Sequence, residues 1–248
     1  MQVETIEKAF PRLLRRFQEN CNAQGELPLA LQMPKNFQDK LNDPSQRKRV
    51  AAVLVILCMV DGSPSIIFTR RASKLKEHAS EISFPGGHFE DAVDASLEET
   101  AVREAEEELE PHKTLLSDFR KSLQVIGPTT PLPSLRGTPV TPFLSVLWKD
   151  LNDPVSKYFP GQPEEVDLVF SVTLQELIQN ETSHDLPDNR FGLRKAPLFP
   201  TPHGEIWGLT AFILRPLLHR LLKPVFVVKL PSESETDSAK LTGQQNHR

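Results

Sequence analysis

The sequence predicts an α+β fold, an α/β/α sandwich built on a mixed β-sheet, from two observations. Apolar runs of strand length are interspersed with segments in which apolar residues recur at helical spacing. In addition, the turn signal Asp61-Gly62-Ser63-Pro64 joins two apolar runs, which indicates an antiparallel hairpin. Hairpins mixed with helices favour a mixed sheet flanked by helices over a doubly wound parallel sheet.

The predicted elements follow this pattern along the chain. Apolar spacing predicts one or two short helices within 5–17, where Pro11 limits regularity. A nearly continuous run rich in β-branched residues at 49–60 predicts a buried strand, and 65–70 predicts its returning partner. Further strands are expected at 124–127, 140–148 and 166–172. Further helices are expected at 95–109, 174–179 and 206–222, the last with Pro216 as a kink point.

The chain is long enough for one substantial core, with 248 residues of which 38% are hydrophobic. We expect a helical N-terminal extension over 1–48, one globular domain over 49–230 and a disordered tail over 231–248. The tail is expected to be disordered because it is polar and has almost no apolar side chains to bury.

Composition argues against several classes of function. A net charge of −4 and a pI near 6.0 argue against a general nucleic-acid binder, which carries a basic surface. The longest apolar run, Val50 to Val60, is shorter than the roughly 20 residues of a membrane-spanning helix. Two cysteines provide no disulfide framework, so an intracellular location is expected. The cytoplasm is the first expectation, with mitochondria and peroxisomes as alternatives.

The most distinctive segment runs from Glu90 to Glu110 and holds ten acidic residues and one basic residue, Arg103. Residues three and four apart share a helix face, so Glu104, Glu107 and Glu108 project together. Crowded carboxylates repel one another unless a cation lies among them, and oxygen ligands suit Mg²⁺ or Mn²⁺. The competing interpretation is a solvated acidic helix in which Arg103 makes an ordinary salt bridge.

A tight turn, Phe84-Pro85-Gly86-Gly87, opens this acidic segment and favours the metal site. Glycine has no Cβ, so the backbone of such a turn can approach a metal ion or a phosphate closely. In this context we expect Arg103 to orient the glutamates through bidentate hydrogen bonds.

Gly87 followed by Arg103-Glu104-Ala105-Glu106-Glu107-Glu108 resembles the Nudix box. The resemblance implies a Nudix-type mixed sheet flanked by helices and a diphosphatase that cleaves nucleoside diphosphates linked to another group. It implies Glu104, Glu107 and Glu108 as ligands of Mg²⁺ or Mn²⁺, with the Gly87 carbonyl as a further ligand.

The sequence differs from the usual box at two points. The interval from Gly87 to Arg103 is two residues longer, so Asp94 or Glu90 would replace the usual intermediate glutamate. Glu110 stands where a glycine usually closes the helix. Both differences concern loop geometry and lie outside the three predicted ligands.

The stretch from Phe68 to Gly87 resembles the signature of coenzyme A pyrophosphatases, although Lys76 stands where arginine is usual and Ser80 where glycine is usual. The segment 206–211 resembles a second motif of this subfamily. Coenzyme A carries a diphosphate and a 3′-phosphate, so it requires cations beside the metal site. The resemblance implies that the substrate is bound by the following residues: Arg70, Arg71, Lys76 and Gly86. The competing interpretation is a basic loop that serves solubility.

The expected reaction is attack of a metal-activated water on one phosphorus of the diphosphate. Glu107 is the first candidate for the general base, and Glu165, just before the strand at 166–172, is the second. Glu165 has an ordinary polar loop as its competing interpretation. Two alternatives to a coenzyme A substrate stay open: another nucleoside diphosphate derivative such as ADP-ribose, NADH or a dinucleotide, and a catalytically weak nucleotide-binding module. The oligomeric state is also open.

Overall fold

The computed structural model describes residues 2–34, 37, 50–75 and 78–228, with the backbone alone at 2, 187–190 and 228. The strands are β1 (Gln2–Val3), β2 (Ala51–Val60), β3 (Ser63–Arg71), β4 (Ile82–Ser83), β5 (Gly86–His88), β6 (Leu123–Pro128), β7 (Leu132–Pro133), β8 (Pro139–Leu151), β9 (Val166–Thr173), β10 (Thr182–Arg190), β11 (Leu193–Thr201), β12 (Gly204–Ile206) and β13 (Val227–Val228). The helices are α1 (Ile6–Asn20), α2 (Leu97–Leu109), α3 (Phe119–Ser122), α4 (Leu174–Gln179), α5 (Gly208–Pro216) and α6 (Lys223–Phe226), with a π-helical segment (Leu217–Leu222) between the last two.

The central sheet has the strand order β4-β3-β2-β8-β6. In addition, β9 pairs with β3, β5 pairs with β2, and β7 pairs with β8. Strands β2 and β8 run parallel, whereas β2 and β3, β3 and β9, and β6 and β8 are antiparallel. The predicted mixed sheet flanked by helices is therefore confirmed.

Strand β2 is buried on both faces, which explains its unbroken apolar run. On one face Val55 and Leu57 pack in a core with residues of α1 and α5. On the other face Leu54 and Ile56 pack in a second core with residues of α2. Because successive side chains of a strand point to opposite faces, one strand supplies both cores.

The Phe84-Pro85-Gly86-Gly87 turn is enclosed by the sheet. Strands β2 and β3 pair directly only near their hairpin, between Leu57↔Ile66 and Val60↔Ser63. Further from the hairpin, β4 pairs with β3 and β5 pairs with β2. The chain between β4 and β5 is therefore held between the two diverging strands, next to helix α2.

Helix α1 is one continuous helix that contains Pro11, and its buried residues belong to the same core as β2. At the other end, the predicted helix begins at Gly208 instead of residue 206 and becomes π-helical after Pro216. Pro216 has no amide hydrogen to donate to the preceding turn, which explains why regular α-helix ends there.

The small sheet β10-β11-β12 was not predicted from the sequence. Strand β10 lacks regular apolar alternation, so no strand pattern is visible in it. Its stability comes from pairing with β11, whose Ala196 and Phe199 are buried in the core that contains α5. The hairpin turns at Phe191-Gly192, with φ angles of 54° and 75°.

Several predictions concern residues outside the described part of the chain: positions 35–36 and 38–48 of the expected N-terminal extension, Lys76, and the tail over 231–248. Within the described ranges, no helix is long and apolar enough to cross a membrane.

Candidate active site

Helix α2 presents the acidic residues, and both of its ends are well defined. The Ser96 side chain caps the N-terminus by accepting a hydrogen bond from the Glu99 amide at 3.2 Å. The apolar stripe of α2, including Ala101, Ala105 and Leu109, is buried against the sheet. Glu110 ends the helix in the left-handed conformation, with φ 50°. A glutamate therefore adopts here the backbone conformation that a closing glycine usually supplies.

Arg103 is held by Asp94. Its Nε lies 2.7 Å from Asp94 Oδ1 and its Nη2 lies 2.9 Å from Asp94 Oδ2. The Asp94 side chain is fully buried and that of Arg103 is 11% exposed. Hydrogen bonding to Arg103 holds the pKa of Asp94 well below its usual range. Asp94 and Glu90 are the two candidates to replace the usual intermediate glutamate. The Asp94 carboxylate contacts Arg103, whereas Glu90 donates its backbone amide to Asp94 at 2.9 Å.

Arg103 also contacts the acidic residues, although its bidentate hydrogen bonds go to Asp94 and not, as predicted from the sequence, to the glutamates. Its Nη2 lies 3.0 Å from Glu104 Oε1, and its Nη1 lies 3.1 Å from Glu107 Oε2. A further hydrogen bond from Nη2 reaches the His88 carbonyl at 3.2 Å, which ties the helix to β5. The Arg103 guanidinium therefore links Asp94, Glu104 and Glu107 to one another and to β5, the strand that carries Gly87.

Glu108 is the most deeply buried of the three predicted ligands, with 3% exposure. Its Oε2 accepts a hydrogen bond from the Gly86 amide at 3.3 Å, and its Oε1 lies 3.7 Å from Arg71 Nη1. Burial raises the pKa of Glu108 to about 8, although the Arg71 charge and the Gly86 amide lower it. Burial also raises the pKa of Glu104.

Glu165 lies near these two glutamates. The negative charge of its carboxylate contributes to the raised pKa of both Glu104 and Glu108, although burial contributes more. Its loop is fixed from two sides, because the Ala72 amide donates to the Glu165 carbonyl at 2.8 Å and the Gln162 amide donates to the Glu108 carbonyl at 2.9 Å. The Glu165 carboxylate, from a loop distant in the sequence, therefore lies near the acidic residues of helix α2.

Glu107 has a different environment from Glu104 and Glu108. Its side chain is 61% exposed and contacts Arg103. Among the described residues, no three carboxylate, imidazole or thiolate side chains are arranged to hold a single ion. The metal ligands named from the sequence therefore stay a prediction, with Glu104 and Glu108 facing the glycine turn and Glu107 at the edge.

The sequence model of the NUDIX domain matches residues 48–192. This chain belongs to the Nudix hydrolase family. Uncharacterized Nudix hydrolases named NudL from Yersinia pestis (strain Pestoides F) and Yersinia pseudotuberculosis serotype O:1b (strain IP 31758) are each 34% identical to it over 195 residues, covering 78% of this chain and 90% of theirs.

Solved structures of low sequence identity are also similar to this Nudix hydrolase. The Nudix hydrolase RenU from M. smegmatis is 13% identical and matches with a TM-score of 0.39, over 81% of this chain and 91% of its own. A MutT/nudix family protein from Enterococcus faecalis is 13% identical and matches with a TM-score of 0.42, over 73% of this chain and 70% of its own. Family membership follows from the sequence matches. The chain is therefore an enzyme that hydrolyses diphosphate bonds, in a family that typically uses a divalent metal ion.

The two glycines of the turn serve different purposes in this Nudix hydrolase. A Cβ on Gly87 would lie 2.4 Å from the carboxyl carbon of Glu104, so the absence of a side chain makes room for that carboxylate. A Cβ on Gly86 would lie 2.3 Å from the Ala52 carbonyl oxygen, so that glycine permits close packing of the backbone. The Gly86 amide, predicted to bind substrate, donates to Glu108.

The two predicted arginines of β3 lie on opposite faces of the sheet. Arg71 reaches Glu108, on the face that carries α2. Arg70 precedes it in the strand, so its side chain points to the face that carries α1 and α5, where Phe68 is also buried. Within the described part of the chain, the buried Nε of Arg71 has no hydrogen-bond partner.

Sequence reasoning missed the strain in the loop before the site. His78 and Ser80 have φ angles of 54° and 62°, a backbone conformation that residues other than glycine rarely adopt. The signal was present, because Ser80 stands where the related signature usually has glycine. The Ser80 amide donates to the Arg71 carbonyl at 3.1 Å, which holds Ser80 beside the end of β3.

Proposed function

We propose that this Nudix hydrolase uses Mg²⁺ or Mn²⁺ to cleave the diphosphate bond of coenzyme A or of its acyl or oxidised derivatives. The products would be adenosine 3′,5′-bisphosphate and 4′-phosphopantetheine or its acyl form. One observation carries the choice of substrate: Arg70 and Arg71 extend from neighbouring positions of β3 to opposite faces of the sheet. Coenzyme A has two separate anionic groups, the diphosphate and the 3′-phosphate, and this arrangement offers one cation to each.

The donor atoms suit the proposed metal ions. Glu104, Glu107 and Glu108, the ligands named from the sequence, offer carboxylate oxygens, which hard divalent cations prefer. Their mutual repulsion, with two of the three in buried surroundings, favours binding of a positive charge. When bound, such an ion neutralises charge on diphosphate oxygens and activates water for attack. Gly87 supports this fit, because its missing side chain leaves the Glu104 carboxylate free to face the turn.

The protein's own residues would hold the reacting groups in place. Arg103 fixes the positions of Glu104 and Glu107, and Asp94 fixes Arg103. Arg71, whose side chain is 30% exposed and lies beside Glu108, would bind a diphosphate oxygen. The general base would be Glu107 or Glu165, because both are exposed to solvent, to which an abstracted proton can pass.

Product analysis tests the proposed substrate. The protein is incubated with coenzyme A and Mn²⁺, and separately with ADP-ribose, NADH and a diadenosine polyphosphate. Formation of adenosine 3′,5′-bisphosphate and 4′-phosphopantetheine, with coenzyme A preferred by at least about tenfold in kcat/KM, is the expected result. Comparable turnover of all substrates would contradict the coenzyme A assignment while leaving the diphosphatase activity intact.

The Glu107→Gln variant tests the catalytic use of the acidic helix. Removing one key electrostatic group is expected to lower metal-dependent kcat by about a thousandfold. Glu106→Gln is the matched control, since Glu106 pairs with Arg120 on another side of the same helix. Full activity of Glu107→Gln would show that Glu107 is neither base nor ligand. Absence of turnover on every substrate by the unmodified protein would favour a nucleotide-binding module.

A further inference from the structure

Trp207 is an exposed aromatic residue at the N-terminus of α5. It is 43% exposed and directly precedes that helix. The other tryptophan, Trp148, is 39% exposed, but its indole nitrogen donates to Gln124 Oε1 at 2.8 Å and its ring lies 4.8 Å from that of Phe10. Among the described residues, Trp207 has no side-chain hydrogen bond and no ring partner. No interaction of these kinds accounts for a tryptophan at this surface position.

The backbone on both sides of Trp207 is fixed. Ile206, which precedes it, is completely buried in the core. Three residues after it, the Thr210 hydroxyl donates to the Ile82 carbonyl at 3.1 Å. Gly204 also lies against Ile82, since a Cβ there would be 3.4 Å from Ile82 Cδ1. An exposed indole on an immobilised backbone loses little conformational freedom when a ligand stacks on it.

Strand β4, which contacts the residues on both sides of Trp207, leads directly to the glycine turn. Ile82 lies in β4, four residues before Gly86. A chain of that length spans at most about 14 Å. Ile82 is also the cross-strand partner of Arg70, whose side chain points to the same face of the sheet as α5. Ile82 thus pairs with Arg70 and contacts Gly204 and Thr210, the residues on either side of Trp207.

We infer that Trp207 stacks on the nucleobase of the substrate, with Arg70 binding the phosphate on the ribose of the same nucleoside. This inference rests on the proposed function and adds a base-binding residue to it. In a nucleoside diphosphate derivative the ribose separates the base from the diphosphate, so the base belongs beyond the carboxylates. Every nucleobase presents a flat π face, which an exposed indole recognises by stacking.

Tryptophan fluorescence tests the inference without turnover, since the chain has two tryptophans. In the Trp148→Phe variant, Trp207 is the sole reporter. Titration with adenosine 3′,5′-bisphosphate in the presence of EDTA is expected to quench its emission to saturation, whereas 4′-phosphopantetheine is expected to leave it unchanged. In the matched Trp207→Phe variant, Trp148 should not respond to either ligand. Absence of quenching by the nucleotide, or equal quenching by 4′-phosphopantetheine, would overturn the inference.

Kinetics on the metal-loaded enzyme provide a second measurement. Loss of stacking in Trp207→Ala is expected to raise KM for coenzyme A about 30-fold with kcat changed less than about threefold. Trp207→Phe keeps an aromatic ring and should stay within about fivefold of the unmodified KM. An unchanged KM in Trp207→Ala would overturn the inference.

The two proposals can fail separately. Saturable quenching of Trp207 by the adenosine nucleotide, without cleavage of coenzyme A, would support the base site and contradict the proposed substrate. Cleavage of coenzyme A with no response from Trp207 would support the proposed function and contradict the base site.

Discussion

The Asp94 carboxylate and the Arg103 guanidinium form a bidentate ion pair beneath the acidic face of the box helix, with N–O distances of 2.7 and 2.9 Å. The Thr100 hydroxyl adds a third hydrogen bond to Asp94 at 3.0 Å. Through Arg103 this pair determines where Glu104 and Glu107 lie. Although the interval before Arg103 is longer than usual, it still contains a carboxylate that pairs with the arginine. Asp94 lies in a turn in which its amide donates to the Glu90 carbonyl at 2.8 Å.

The Asp94→Asn variant should be markedly less stable. It leaves the largely buried guanidinium of Arg103 without its counter-charge, which we expect to lower the free energy of unfolding by about 3 kcal/mol. Because Arg103 would no longer be held, kcat should also fall about tenfold or more. Urea unfolding followed by circular dichroism measures the first effect. Glu98→Gln, which neutralises an exposed carboxylate of the same segment, is the control and should change stability by less than about 0.5 kcal/mol.

The two glycines of the turn should respond differently to alanine. In Gly87→Ala the added methyl group would meet the Glu104 carboxylate, the flexible end of a side chain, and φ lies outside the left-handed region. We expect the fold to be retained and kcat/KM to fall about a hundredfold, as the carboxylate is displaced. In Gly86→Ala the methyl group would meet backbone atoms of Ala52 and Val53, at a φ of 153°.

Backbone atoms cannot move aside, so Gly86→Ala should lower the free energy of unfolding by about 3 kcal/mol. Thermal unfolding and activity, measured on both variants, separate the two effects. Equal losses of stability in Gly86→Ala and Gly87→Ala would contradict the separate purposes assigned to these glycines.

Glu165 and Glu164 form a matched pair for testing the distant loop. Glu165 is electrostatically coupled to Glu104 and Glu108, whereas the Glu164 carboxylate is 75% exposed and pairs with Lys74 at 2.8 Å. If Glu165 is the general base, Glu165→Gln should lower kcat about a hundredfold. Glu164→Gln should leave kcat within about twofold, because an exposed ion pair contributes little. Similar kcat values for both variants would remove Glu165 from the catalytic site.

Relief of backbone strain at Ser80 should stabilise the protein. A left-handed conformation costs a side-chain-bearing residue about 1–2 kcal/mol, and glycine avoids that cost but loses about 0.5–1 kcal/mol through the flexibility of the unfolded chain. Ser80→Gly is therefore expected to raise the free energy of unfolding by about 0.5–1 kcal/mol. Ser80→Ala keeps the strain and serves as the control. A decrease in stability for Ser80→Gly, measured by urea unfolding, would show that the serine side chain contributes more than the strain costs.

Much of the fold could be predicted from local patterns. The run at 51–60 is apolar at almost every position because both of its faces are buried, and the apolar stripe of α2 marks the side that meets the sheet. These features depend on residues close together in the chain, so periodicity reveals them. The sheet β10-β11-β12 could not be found in this way, because β10 is stabilised by its partner and not by its own pattern.

The sequence by itself determined the chemistry of the site: an acidic helix, one arginine and a pair of glycines, in an order that resembles the Nudix box. Only the tertiary structure decided which carboxylates lie together. Glu104, Glu107 and Glu108 share a helix face, yet packing against the Phe84–Gly87 turn buries Glu108 and leaves Glu107 exposed. Asp94 and Glu165 reach the site through contacts that helical spacing cannot encode. Helix periodicity is a local property, whereas burial and pairing of charges depend on which distant segments pack together.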